Sequence, residues 1–87
     1  MYTKHLADIR RENYDAIRDL PTRDLPRTFD EWASQRDQEA AEILGGGNHV
    51  GRVEVKADRF ADFCRKTNRP YDRNSLADFV WAMRPGS

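Results

Sequence analysis

Hydrophobic and polar residues alternate with a period of two in one segment, residues 50–56, and this pattern predicts a β-strand. Because strand side chains point alternately to opposite faces, Val53 and Val55 share the face that we expect to be buried. The opposite face carries three charged side chains, Arg52, Glu54 and Lys56. A strand edge without a partner invites pairing with another chain, so this segment is the first candidate for an interaction site.

The N-terminal part of the chain shows helical spacing instead. Apolar positions in residues 3–20 recur at intervals of three and four, which predicts a first helix. Two prolines, Pro21 and Pro26, then mark a connector that we expect to be extended and without strand pairing.

A second helix has a clear start signal. Thr28 is a candidate N-cap and Glu31, three residues later, completes a capping box. The helix is expected to run over residues 29–44 and to end in the glycines of residues 45–47, where a left-handed residue is readily accommodated.

Two shorter helices are predicted after the strand. Asp58 is a candidate cap for a third helix that ends near residue 66, and Asp72 or Asn74 for a fourth that ends near residue 83. The predicted fold is therefore a helix-rich α+β domain in the order α-α-β-α-α. Its single strand would pair across a dimer or with a partner.

Length and charge fit one small domain. The 87 residues divide into an N-terminal helix with its proline-rich connector (1–27), an acidic helix with a glycine loop (28–48) and a strand-helix-helix unit (49–87). Residues 1–48 hold seven Lys/Arg and ten Asp/Glu, a net charge of −3, which residues 49–87 balance with eight and five. A chain this short gains only a few kcal/mol from its core, so dimerisation would be a natural supplement.

Composition also bears on location. No apolar run approaches the ~20 residues of a membrane span, so we expect no membrane partner. A lone cysteine, Cys64, suits a reducing compartment, and a cytoplasmic location is the expectation.

No motif indicates catalysis. The glycines of residues 45–47 follow a helix and precede a strand, the reverse of a phosphate-binding loop. Cys64 could act as a nucleophile only with a base such as His49, and its place on an apolar stripe favours a packing role. Two histidines and one cysteine do not give a zinc-binding spacing. We therefore expect a non-enzymatic protein without cofactor or metal.

Two further features are candidate binding surfaces. The second helix exposes an acidic face, with Glu31, Glu39 and Glu42, for which a solvated helix face is the favoured explanation and docking on a basic partner the alternative. Trp81 lies off the apolar stripe of the fourth helix beside Arg84, so it is either exposed or buried on a second face of that helix. If it is exposed, it is a candidate interface anchor.

The strand-helix-helix order of residues 50–83 resembles ribbon-helix-helix repressors, which pair one strand from each subunit and insert it into the major groove. That resemblance implies a dimer in which Arg52, Glu54 and Lys56 read bases. Arg69 and Arg73 would then contact phosphates. The third helix is shorter than in that family, and two extra helices precede the strand.

Two segments, FDEWASQRDQEAAEI and RVEVKADRFADFCRKTNRPYDRNSLADF, resemble short uncharacterised proteins of GC-rich bacteria, phages and mobile elements. The similarity covers residues 28–79 and rests mostly on apolar positions, so it implies a shared fold. Such proteins often inhibit a host complex by occupying one of its surfaces, anti-CRISPR proteins among them. The leading expectation is a small binding protein that acts by protein–protein contact through its strand edge, as a homodimer or by adding a strand to its target. DNA binding by a strand-paired dimer is the alternative.

Overall fold

A computed structural model describes residues 2–85 of the chain. In this part of the chain four helices and two strands follow one another as β1 (Thr3–Asp8), α1 (Arg11–Arg18), α2 (Phe29–Gly45), β2 (His49–Glu54), α3 (Ala57–Lys66) and α4 (Arg73–Met83). The prediction of a helix-rich α+β fold is confirmed. The predicted order is wrong at the N-terminus, where a strand and a short helix replace the single helix expected over residues 3–20.

The partner of the predicted strand lies in the same chain. β1 and β2 form a two-stranded parallel sheet, in register from Thr3 opposite His49 to Asp8 opposite Glu54. The prediction of a single strand that pairs only with a second molecule is therefore wrong. Pairing across 46 positions of sequence fixes residues 3–8 in an extended conformation, and tertiary pairing of this kind overrides local helical spacing.

Helices cover both faces of the sheet. Leu6 and Val50 pack against Ala40 and Ile43 of α2 in one small apolar cluster. On the opposite face, Ala7, Val53 and Val55 join the main core with side chains from α1, α3 and α4. Val53 and Val55 are buried as expected, and the alternate residues Arg52, Glu54 and Lys56 are exposed.

Aromatic rings join the helices around this core. The ring of Tyr14 in α1 stacks on that of Trp32 in α2 with centroids 5.5 Å apart. The hydroxyl of Tyr14 donates a hydrogen bond to the carbonyl oxygen of Pro26. At the other end of the core, Phe79 of α4 meets Phe63 of α3 edge-on at 5.3 Å. Trp32 is thus a core residue.

The predicted helix boundaries hold at two caps. The Thr28 hydroxyl accepts a hydrogen bond from the Glu31 N–H at 3.1 Å, and the Asp72 carboxylate accepts one from the Ser75 N–H at 2.8 Å. Gly47 supplies the left-handed residue after α2, with φ of +82°. These three signals were readable in the sequence because each depends on residues close together in the chain.

The start of α3 was predicted incorrectly. The helix begins at Ala57, so Asp58 lies within its first turn instead of capping it. The Ala57 N–H donates to the side-chain oxygen of Asn13 in α1 at 3.0 Å. A residue 44 positions away therefore satisfies this helix end, and no local signal reports it.

The proline-rich connector is fixed to the C-terminal half of the chain. Thr22 forms an isolated parallel bridge with Tyr71, and the Arg23 N–H donates to the Tyr71 carbonyl at 2.9 Å. The expectation of a connector without strand pairing is wrong at this position. Asp24 adopts a positive φ of 52° and accepts a hydrogen bond from the Arg73 N–H at 2.8 Å. These contacts place the first residue of α4 beside the connector.

Candidate functional site

One edge of β1 faces away from β2. The His49 N–H donates to the Tyr2 carbonyl at 2.9 Å, and the Val55 N–H donates to the Asp8 carbonyl at 3.0 Å. In a strand, successive backbone groups point to opposite sides, so the alternate residues are directed outward. The outward N–H and C=O groups of β1 belong to Thr3, His5 and Ala7. They form a row of main-chain donors and acceptors available for a third strand.

A groove of about 650 Å³, the β1 groove, runs along this edge. Six consecutive residues, 2–7, line it. Only alternate residues of a strand would line a groove over one face of a sheet, so an unbroken run shows that the strand edge itself forms the floor. α2 and α4 supply the two walls, since they cover the two faces of the sheet.

The α2 wall is polar and charged. Gln35, Arg36 and Glu39 line it. Lys4 of β1 forms a salt bridge with Glu39 at 2.8 Å, and this hydrogen-bonded carboxylate raises the pKa of the lysine. The Arg36 guanidinium carbon lies 4.9 Å from the Trp32 ring centroid, so the guanidinium lies over the aromatic face.

The α4 wall is mainly apolar. Leu76, Ala77, Val80 and Trp81 line it. Leu76 and Val80 also belong to the core, whereas the Trp81 side chain is 63% exposed. The Arg84 guanidinium carbon lies 3.4 Å from the Trp81 ring centroid, so the guanidinium packs against one face of the indole. Of the two alternatives that the sequence left open for Trp81, the structure shows exposure, and it adds that the residue borders a groove.

Arg73 joins the two walls at one end of the groove. It is the first residue of α4, and its Nη2 donates to the side-chain oxygen of Gln35 in α2 at 3.1 Å. The same nitrogen lies 3.3 Å from the carbonyl oxygen of Asp24. Both acceptors are uncharged, and no carboxylate within residues 2–85 forms a salt bridge with this guanidinium.

A second groove, of about 550 Å³, lies on the other side of the molecule. It contains the charged side chains that the strand pattern singled out, Arg52, Glu54 and Lys56, and two further cations, Arg59 and Lys66. Lys66 pairs with Asp62 at 2.9 Å, and this lysine lowers the pKa of the Asp62 carboxyl. Phe79 and Met83 of α4 form its apolar part.

The remaining candidate residues lie apart from one another. Of the acidic residues predicted on α2, only Glu39 borders the β1 groove, while Glu31 and Glu42 are exposed elsewhere on the helix. Arg69 forms a salt bridge with Asp78 and lies 5.7 Å from the Phe63 ring centroid. Arg73, the other predicted phosphate contact, lies in the β1 groove.

Sequence reasoning missed most of this site. Lys4 and His5 fell within the helix predicted for residues 3–20, and Gln35 and Arg36 were not among the candidate site residues. No period-two signal marks β1, because both of its faces contact helices and its residues range from exposed to buried without clean alternation. The usable signals were three candidate residues that all border the groove, Glu39, Arg73 and Trp81.

The elements of a thiol active site are not assembled. Cys64 is buried in the main core, and burial raises the pKa of its thiol, which keeps it protonated. His49, the candidate base, is exposed at the start of β2. Among residues 2–85, no three or more His, Cys, Asp or Glu side chains converge as metal ligands.

No family model, curated protein or solved structure matches the chain. In the described part of the chain, none of the helices combines the length and apolar character needed to cross a membrane. What the site can do is therefore read from its geometry: a strand edge at the base of a groove, between one polar and one apolar wall.

Proposed function

We propose that this chain is a small non-enzymatic binding protein whose β1 edge accepts an extended segment of a partner protein as a third strand. The observation that carries this function is the unbroken lining of the groove by residues 2–7. A main-chain edge recognises another main chain, and flanking walls then select its side chains.

The dimensions of the groove suit a short segment. β1 has six residues, and at about 3.3 Å per residue it extends over roughly 20 Å. A partner segment of about six residues in extended conformation would match that length. Thr3, His5 and Ala7 offer it three N–H and three C=O groups on the outward side.

The walls favour a free segment over a second copy of this chain. β1 of a second copy would bring its own α2 and α4, one on each face of its sheet. Four helices would then compete for the space beside the two joined strands. A segment without flanking helices enters the groove with no such conflict, so strand addition to a target is favoured over homodimerisation through β1.

A biological role as a phage or mobile-element inhibitor, anti-CRISPR proteins included, stays a prediction. Occupying a host protein's surface would be consistent with a groove that captures an extended segment. The test is whether the captured segment belongs to a host complex whose activity the protein lowers.

DNA binding is the second candidate, and one observation favours it. Arg52, Lys56 and Arg59 border the second groove, and none of them forms a salt bridge within the described residues. A dimer joined through the outer edge of β2 would place these cations together. Phosphate contacts release counterions, so affinity for a DNA duplex would fall steeply with salt. Unchanged DNA binding after Arg52→Ala together with Lys56→Ala would exclude this candidate.

A proline pair tests strand addition directly. Thr3→Pro removes one outward N–H of β1 and places a ring at the edge, while Arg52→Pro does the same at the outer edge of β2. Both side chains are exposed, and proline is tolerated where the lost N–H faces away from the sheet. Circular dichroism establishes that each variant is folded before binding is measured.

The probe is a phage-displayed library of short random peptides selected on the wild-type protein. Strand addition at β1 predicts that the selected peptides bind Arg52→Pro as they bind the wild type and that binding to Thr3→Pro is largely lost. Amide hydrogen exchange at Thr3, His5 and Ala7 should slow in the complex. Equal binding to both variants, or loss only with Arg52→Pro, would overturn the proposed function.

A further inference from the structure

We infer, resting on the proposed function, that the bound segment alternates apolar and acidic residues. Its apolar side chains face α4, and its carboxylates face α2 and Arg73. This assignment goes beyond strand addition, because it states which side chains the partner must carry and in what order.

The alternation follows from the position of the walls. Side chains of an added strand point alternately to the two faces of the extended sheet. α2 covers one face of this sheet and α4 covers the other. Every second residue of the segment therefore meets the α2 wall, and the residues between them meet the α4 wall.

The α4 wall selects apolar side chains. Ala77 and Trp81 are exposed there, next to the buried Leu76 and Val80. An apolar side chain placed against this wall removes both its own surface and that of the indole from water. A tryptophan at the border of a groove is the residue type that most often contributes strongly to binding.

The α2 wall and the end of the groove select carboxylates. Three cations, Lys4, Arg36 and Arg73, line the groove against one carboxylate, Glu39. Lys4 and Arg36 are already paired with Glu39 and Asp37, whereas the Arg73 guanidinium contacts only uncharged acceptors. A carboxylate that replaced Gln35 as the partner of Arg73 would add an opposite charge to a hydrogen bond whose donor is already ionised, and it could accept two parallel hydrogen bonds from the guanidinium.

A basic segment fits the same groove poorly. Lysine side chains directed at the α2 wall would meet Arg36 and Arg73, and like charges brought together across an interface disfavour binding. The groove therefore distinguishes segments of equal hydrophobicity by their charge, and its preference is for acidic ones.

Three synthetic peptides test the inference, each capped at both ends and labelled with a fluorophore. The first alternates glutamate and valine, the second alternates lysine and valine, and the third has the composition of the first with glutamates and valines in separate blocks. Affinity is measured by fluorescence anisotropy at moderate salt. We expect the first peptide to bind at least about tenfold more tightly than either of the others.

Matched variants assign the two walls. Arg73→Gln removes a groove cation, while Arg59→Gln removes an exposed cation of the second groove. Trp81→Ala truncates the apolar wall, while Met83→Ala truncates an exposed apolar residue that lines only the second groove. Arg73→Gln and Trp81→Ala should each weaken the first peptide by about tenfold, and the two control variants should leave its affinity within about twofold.

The outcomes separate this inference from the proposed function. Equal or tighter binding of the lysine or block peptide, with binding still lost in Thr3→Pro, would overturn the alternation and leave strand addition in place. Binding of the glutamate peptide that Thr3→Pro does not change would overturn both. If none of the three peptides binds, the alternation is wrong, and the library selection alone then decides strand addition.

Discussion

The imidazole of His5 occupies the space that a side chain at position 51 would need. A β-carbon built on Gly51 would lie 2.5 Å from His5 Cδ2 and 2.8 Å from Nε2. The two residues are opposite each other in the parallel register of β1 and β2. Gly51 is thus required by a close approach across the sheet, and the same contact positions a side chain that lines the β1 groove.

Replacing Gly51 with alanine should therefore destabilise the fold through His5. Forcing an extra methyl group into a filled site costs about 1–3 kcal/mol of unfolding free energy, unless the ring moves away. His5→Ala removes the ring, so Gly51→Ala should cost much less in that background. Urea denaturation of the two single variants and the double variant measures the coupling. Equal losses from Gly51→Ala in both backgrounds would contradict the steric cause.

Thr28→Ala should weaken the start of α2. Its hydroxyl accepts the Glu31 N–H at 3.1 Å, and loss of an N-cap of this kind costs about 1 kcal/mol. Thr28→Ser keeps the hydroxyl and is the matched control, with a change of no more than a few tenths of a kcal/mol expected. Chemical denaturation followed by tryptophan fluorescence reports both, because Trp32 lies one turn into the same helix.

Asp72 should make stability depend on acid pH. The Ser75 N–H hydrogen bond lowers the pKa of this carboxyl in the folded protein. A lowered pKa stabilises the fold above the unfolded pKa, and the stabilisation is lost as pH falls through the folded pKa. Asp72→Asn keeps a capping oxygen without the charge. The thermal midpoint of Asp72→Asn should lie below that of the wild type at neutral pH, and this difference should shrink below about pH 4. A difference that stays constant with pH would exclude the charge as its origin.

Cys64 should resist alkylation in the folded protein. Burial raises the pKa of its thiol, and the side chain is only 1% exposed, so iodoacetamide should react at a rate limited by unfolding.

The raised pKa of the Cys64 thiol should also make stability depend on alkaline pH. Its contribution to stability is fully present below the unfolded pKa and is lost as pH rises through the folded pKa. The wild type should therefore lose more stability than Cys64→Ala between about pH 8 and pH 10. If the stability of the two proteins changes with pH in the same way, the thiol has the same pKa in the folded and unfolded states, and the expectation is wrong.

The parts of the fold that could be predicted from sequence are those whose causes are local. Thr28 and Asp72 accept N–H groups three positions later in their helices, and the buried Val53 and Val55 alternate with exposed charged residues in one short segment. The position of Trp81 off the apolar stripe of α4 was also readable from helical spacing. Each of these depends on backbone geometry over a few residues, which a single sequence contains.

The parts that could not be predicted depend on residues far apart. β1 is extended because it pairs with β2, and α3 begins where Asn13 accepts its first N–H. The candidate site also depends on contacts between distant residues, since Arg73 and Gln35 are 38 positions apart. The sequence placed Lys4 in the helix predicted for residues 3–20, whereas in the structure it lies in β1 and pairs with Glu39.

The parallel pairing of β1 with β2 also sets an order of events during synthesis. β1 leaves the ribosome first, but its partner begins 46 residues later, so neither of its edges can be satisfied until more than half of the chain has emerged. At about 5–20 residues per second, that delay lasts for seconds. Over this interval the nascent chain exposes on both sides the backbone groups that the finished protein exposes on one, and it is then most open to premature capture or aggregation.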